Sequence, residues 1–318
     1  MLPAMPAFSA DFYGPAAGIG ASVCWTATSI FFTEASRRLG PTAVNGLRLV
    51  LAVLLLGLTF RALEQQWWPE LTEGQWWSLG LSGVLGLSIC DQCLFTAFMD
   101  IGPRRAMLIM TTSPLFALLF GALSLGERVG AYAMVGVALT LFGVMWVLLE
   151  GRGQGETGPK NQYLARGIAL SVIAAALQAA GALFAKRGIG HGELPSSEHI
   201  APLAATYVRM VFGMLGVVPI VLLHHFRRGK RPGAYAADER RAGLNFMVLG
   251  TVFGPYVGVW LSVIAFDRSP IGVAQTLCSL SPVLLLPLAY KLYGERVGLR
   301  GLFGALLAVG GAALLFVA

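Results

Sequence analysis

The chain has 318 residues, of which 56% are hydrophobic and only 12% charged, with a mean hydropathy of +0.70 and a formal net charge of +7. That balance is too apolar for an ordinary soluble domain. It also argues against a nucleic-acid partner, because the Lys and Arg stand at the ends of apolar runs, where they set orientation and meet anionic headgroups.

Residues 1–14 form an N-terminal segment with Asp11 and no Lys or Arg. The basic stretch of a signal peptide is missing, so the first span is expected to be retained. Apolar runs of about 20 residues suffice to cross a hydrocarbon core of roughly 30 Å. Such runs predict ten spans, near 15–36, 42–60, 76–99, 105–123, 130–149, 164–187, 200–224, 243–266, 271–290 and 297–318. A lipid-facing backbone must bond within its own segment, and the runs are long and continuous rather than short and alternating, so the spans are helices and not barrel strands. Trp67, Trp68, Trp76 and Trp77 flank the start of span three as an interfacial aromatic belt. Cys24, Cys90, Cys93 and Cys278 all lie inside apolar spans, where a buried thiol packs as a small apolar group. Cys90 and Cys93 share a helix with no histidine nearby in sequence, so no metal set is assigned. His191, His199, His224 and His225 fall in loops and form no catalytic cluster, and the glycines of 151–158 make no phosphate loop because Pro159 precedes Lys160. No cofactor is expected.

The polar, glycine-rich stretch 150–163 reads as a linker between halves 15–149 and 164–318, each with five spans. The halves are copies. Adding 168 to the numbers of Ser113, Pro114, Gly126, Glu127, Arg128, Gly136 and Gly143 lands on Ser281, Pro282, Gly294, Glu295, Arg296, Gly304 and Gly311. Copies of an odd-numbered unit enter the membrane in opposite senses, so the expected fold class is an all-α integral membrane protein of ten transmembrane helices in two inverted five-helix repeats. This is an architecture of alternating access around a midplane site. Gly136 and Gly143, like Gly304 and Gly311, lie seven apart on one helix face and serve close helix packing; whether they also make a homodimer face is open. Pro114, Pro255, Pro282 and Pro287 are expected to loosen backbone bonds inside spans.

The twice-written Ser-Pro and Gly-Glu-Arg-Val motifs, the glycine spacing of spans five and ten, Arg48 in span two and Arg209 in span seven together resemble the drug/metabolite transporter superfamily, and within it the EamA-type transporters. The resemblance runs from about residue 15 to the end. It implies two EamA-like repeats, a multi-pass protein of the bacterial inner membrane, and export of amino acids, other metabolites or drugs. It also implies that the Gly-Glu-Arg turns are landmarks of the fold, and that both termini are cytoplasmic. Positive charge points the other way. The loops on the terminal side hold Arg61, Arg128, Lys186, Arg187 and Arg268, whereas one opposite loop alone holds Arg227, Arg228, Lys230, Arg231, Arg240 and Arg241.

Ionisable groups inside spans cost about 2.5 to 3.5 kcal/mol at a helix centre and are functional candidates by default. Arg48 and Asp91 sit at matched depth and are expected to pair, or Asp91 to carry a coupling proton. Arg209 has no acidic residue at its depth in its own half and is expected to grip an anionic group of the substrate, to snorkel to Glu198 or Asp267, or to bond backbone carbonyls. Gln178, Gln275 and Tyr256 are further candidates for substrate contact, with Asn45 behind them. Glu34, Lys186 and Asp267 lie near span ends and are expected to snorkel. No nucleotide site is visible, so a secondary transporter of a small organic solute is the leading reading. A multidrug-type efflux protein and a non-transporting sensor or assembly subunit are the alternatives. The expected partners are a small-molecule substrate and the bilayer, with the chain monomeric or homodimeric.

Overall fold

The structure is a computed structural model that describes residues 12–101, 103–150, 163–228, 237–281, 283–284 and 299–315. Pro282, Pro287, Gly294, Glu295 and Arg296 lie outside the described residues, as do most of the N-terminal segment and the linker. The helices are α1 Tyr13–Leu39, α2 Pro41–Glu64, α3 Glu73–Gly83, α4 Cys90–Ile101, α5 Pro103–Met110, α6 Ser113–Leu125 and α7 Ala131–Glu150 in the first half. The second half contains α8 Leu164–Ile189, α9 Pro202–Arg228, α10 Ala237–Thr251, α11 Val259–Arg268, α12 Ile271–Cys278 and α13 Leu299–Leu314. Among the described residues, five helices are long and apolar enough to cross a membrane unaided: Tyr13–Leu39, Thr42–Glu64, Leu164–Ile189, Pro202–Leu223 and Asp238–Arg268. Leu54, Leu58, Leu119, Leu123, Phe303 and Leu306 point outward and exposed, as lipid-facing residues do.

Spans three and eight are not single α-helices. Each carries one wide π turn, Val84–Ile89 between α3 and α4 and Val252–Gly258 between α10 and α11. Cys90 N–H donates to the Leu85 carbonyl and Val259 N–H to that of Gly254, five residues back in both cases. Val84 and Val252 are 168 apart, so the duplication repeats the distortion as well as the motifs. Pro255 explains the second: a ring without N–H removes an α-helical bond, and the wider turn absorbs the clash. Spans four and nine also depart from the continuous helices expected. α5 ends at Met110 and α12 at Cys278, four residues before Pro114 and Pro282, whose rings would strike those two carbonyls in an unbroken helix.

The halves interlock. Spans with the same place in each half pack together, α2 on α9, α6 on α12 and α7 on α13, while span three packs on α8 and span eight on α1. Small residues allow the close crossings. A Cβ on Gly136 would stand 3.0 Å from the Gly311 carbonyl, and one on Gly311 would stand 2.7 Å from the Gly136 carbonyl, so these matched glycine faces meet each other inside the chain. Span three approaches α8 and α9 just as closely: Ser82 Oγ donates to the Gly181 carbonyl at 2.6 Å and Ser88 Oγ to that of Gly213 at 2.7 Å.

Candidate functional site

Span three carries the charge of the interior. Its π turn ends two residues before Asp91, so the extra residue in that turn sets the direction in which the carboxylate leaves the helix. From α2, Arg48 ion-pairs with Asp91 through one terminal nitrogen and donates from Nε to Asn45 Oδ1 at 3.0 Å. Its guanidinium also lies 5.6 Å from the centroid of the Phe32 ring. Arg48 is only 5% exposed. The depth match read from the sequence is therefore realised as contact.

Arg209 enters from α9, the pseudo-symmetric partner of α2, and is likewise 5% exposed. It does not snorkel, because α8, span three and α2 enclose this stretch of α9. Asp267, which the snorkelling reading offered it, is held instead by His191 at 2.8 Å and Arg268 at 2.9 Å. The guanidinium lies against the π turn, where a Cβ on Gly86 would stand 3.3 Å from Arg209 Nη2. It feels the Asp91 charge without ion-pair contact, and its Nε has no hydrogen-bond partner. Among the described residues the Arg209 side chain makes no hydrogen bond or salt bridge. Two buried guanidiniums thus face one carboxylate.

The uncharged candidates divide. Gln178 on α8 is adjacent to this cluster, its Oε1 accepting from the Cys90 thiol at 3.5 Å. Cys90 also donates to the Ala174 carbonyl at 3.3 Å, which makes it a packing residue of the span three and α8 contact. Tyr256, in the second π turn, exchanges a 2.7 Å hydrogen bond with Thr59 of α2. Gln275 donates to Ser113 Oγ at 3.3 Å and so ties α12 to the Ser-Pro start of α6, while its Oε1 stays without a partner. Among the described residues, no hydrogen bond joins Tyr256 or Gln275 to the Arg48, Asp91 and Arg209 group. Ser281 binds α1, donating to the Ser22 carbonyl at 3.0 Å and accepting at its own carbonyl from Thr26 at 3.2 Å.

The first Gly-Glu-Arg turn is a clasp. Gly126, at φ 64°, closes α6, which sends Glu127 back across the helix ends. Glu127 accepts from the Ile271 N–H at 2.8 Å, at the start of α12, and pairs with Lys186 of α8 at 2.5 Å. Lys186 donates onward to the Ser269 carbonyl at 2.6 Å. This corrects the expectation that Lys186 snorkels: the Glu127 turn and the start of α12 cover the end of α8, so the ammonium is 6% exposed and must be paired. Arg128 points out and is exposed. Glu34 sits at the span end as expected, paired with Arg37 and Arg38. His191 and His199 lie in the loop as expected, whereas positions 224 and 225, expected in a loop, belong to α9 because the helix runs on to Arg228. The loop after α8 and the end of α11 bring His191, His199 and Asp267 together, a grouping hidden by the 67 residues between His199 and Asp267.

Sequence reasoning missed the glycines that let α9 approach span three at Arg209, namely Gly83, Gly86 and Gly213. Their signal was present as small residues spaced along spans three and seven.

No curated protein matches the chain by sequence. A crystal structure of a protein 20% identical in sequence shares its fold, with a TM-score of 0.73 over 95% of this chain and 94% of its own. The model of the EamA-like transporter family matches twice, over residues 12–149 and 165–317, one match to each five-helix half. With almost the whole chain covered and the interlocked packing of two inverted repeats in place, the chain belongs to the EamA-like transporter family of the drug/metabolite transporter superfamily and is a multi-pass integral membrane protein.

Proposed function

We propose that the protein is a secondary transporter that exports a small metabolite carrying an anionic group, such as the carboxylate of an amino acid, by alternating access. One observation carries the proposal: among the described residues Arg209, buried in an apolar interior, has no hydrogen-bonded partner, and Asp91, the one carboxylate near it there, is engaged by Arg48. A guanidinium in that setting is costly unless water or an anion satisfies it, and its planar fork suits a carboxylate in two-point contact. The substrate would bind Arg209 beside the Gly86 turn, with Gln178 and Cys90 on the same side of span three. Movement of the interlocked halves against each other would then expose this group to either side.

The test is counterflow of labelled amino acids and related organic anions in proteoliposomes, with Arg209→Lys and Arg209→Gln beside the native chain. Charge-assisted hydrogen bonds contribute about 1.5 to 3 kcal/mol, so Arg209→Gln should raise the half-saturation concentration roughly 10- to 100-fold, with Arg209→Lys in between. An unchanged half-saturation in both variants removes Arg209 from the site. Saturable flux of cationic drugs only would favour the multidrug reading, and no flux of any solute would favour a sensor.

A further inference from the structure

We infer that His191, His199 and Asp267 form a binding site for a Zn²⁺-class divalent ion that clamps the α8–α9 loop to the end of α11. One ring nitrogen from each histidine and one Asp267 oxygen all lie within 4.8 Å of one another. The imidazole centroids are 4.5 Å apart with the rings 60° to each other. In a tetrahedral Zn²⁺ site with bonds near 2.1 Å, ligand atoms stand about 3.4 Å apart, so closure asks for side-chain shifts of about 1 Å. All three residues are partly exposed, which leaves them free to make that shift and the ion free to enter. Two imidazoles and a carboxylate are borderline ligands that suit zinc over calcium or magnesium, and three protein ligands leave the fourth position to water.

The local backbone is built to bring these groups together. Gly190 ends α8 at φ 132°, and a Cβ there would run into the His199 ring at 2.5 Å from Cδ2, so glycine is what lets the ring close over the helix end. Ile200 N–H donates to the Ile189 carbonyl at 3.0 Å and returns the loop to its origin, which sets His199 beside His191. Asp267 is oriented by Arg268 Nε on Oδ2 at 2.9 Å, so Oδ1 is the oxygen that faces His191. A simple loop tether would need only the His191–Asp267 bond. The second imidazole is turned toward the same space; its Nε2 bonds the Leu194 carbonyl at 3.2 Å, so an ion here would take the other ring nitrogen or displace that bond. Because α9 starts at Pro202, three residues past His199, an ion here restrains the helix that carries Arg209.

The test is calorimetric titration of Zn²⁺ into the purified full chain carrying no polyhistidine tag. One saturable site per chain is expected, weakened at least tenfold by His199→Ala and by Asp267→Asn, since even outer-shell losses at such sites cost about 10- to 100-fold. The double variant His224→Ala, His225→Ala, at the far end of α9, should titrate as the native chain does. Co²⁺ bound to the native chain should show the visible absorption of a low-coordinate site and lose it on addition of Zn²⁺, a readout independent of how the variants fold. Absence of saturable Zn²⁺ binding to the native chain overturns the inference, as does equal binding by the native chain and a folded His199→Ala variant.

Discussion

Replacing Asp91 by Asn should do more harm than replacing Arg48 by Gln, and the double replacement should do less harm than Asp91→Asn alone. The order follows from the charges at the π turn. Asp91→Asn withdraws the one carboxylate that the described residues set beside two guanidiniums, each 5% exposed, whereas Arg48→Gln leaves Asp91 a second positive charge, Arg209, within electrostatic reach. Stranding one member of a buried pair costs about 3 to 5 kcal/mol. In a membrane the unfolded chain also finds partners, which favours the lower end, about 3 kcal/mol for Asp91→Asn. Arg48→Gln should cost less by about 1 to 2 kcal/mol, and Asn45 then loses the Nε bond at 3.0 Å as well. The assay is equilibrium unfolding in mixed detergent micelles for the native chain, both single variants and the double, which closes a double-mutant cycle. A coupling energy of about 2 kcal/mol or more is expected between the two positions. Additivity within about 0.5 kcal/mol would refute direct pairing, and a larger loss from Arg48→Gln than from Asp91→Asn would refute the role given to Arg209.

Glu127→Gln should destabilise the fold by about 3 kcal/mol, because it leaves the buried Lys186 with only the Ser269 carbonyl; adding Lys186→Met should recover most of the loss in the same unfolding assay. Gly311→Ala should cost about 1 to 3 kcal/mol, since its Cβ would stand 2.5 Å from the Thr140 nitrogen, while Gly310→Ala next to it meets nothing within 4 Å and should be neutral or stabilising by up to about 1 kcal/mol. Equal melting temperatures for those two glycine variants would contradict the close α7–α13 crossing. Thr72→Ala removes half of the capping box that Thr72 and Gln75 build at the start of α3 and should lower stability by about 1 kcal/mol in the same melts.

Much of this architecture was legible because the duplication wrote it twice. The 168-residue register between Ser113-Pro114 and Ser281-Pro282 also relates α5 to α12, which end at Met110 and Cys278 for the steric reason any proline imposes four residues back. The π turn of span three was not legible, since no proline stands between Val84 and Ile89 and glycines such as Gly86 occur in ordinary helices as well. Depth along a span predicted the contact of Arg48 with Asp91, because both lie in one half. The same reasoning failed to bring Asp91 near Arg209, because it searched within a half while the folded halves exchange neighbours, α9 lying on span three. Lys186 was misread for a related reason. A position near a span end implies access to headgroups only if nothing covers that end, and here the Glu127 turn does.

What the two halves keep in common and what they do not keep separates scaffold from chemistry. The Ser-Pro starts, the π turns and the facing glycines persist in both, and each has a packing reason that a two-fold axis doubles at no cost. The buried charges do not follow the axis. Arg48 on α2 has a positional counterpart in Arg209 on α9, but the residue 168 beyond Asp91 is Val259, which is 3% exposed and packs as a core side chain. Two carboxylates would have neutralised two guanidiniums and left a closed, self-satisfied interior in either state of the transporter. With one carboxylate, the interior carries an excess positive charge held by α9, in a medium where an unpaired charge is expensive. On the proposed function, an anionic solute would supply the missing charge only while it is bound. On that proposal the fold would stay indifferent to which side it opens when empty, and yet favour closure over its substrate, as alternating access requires.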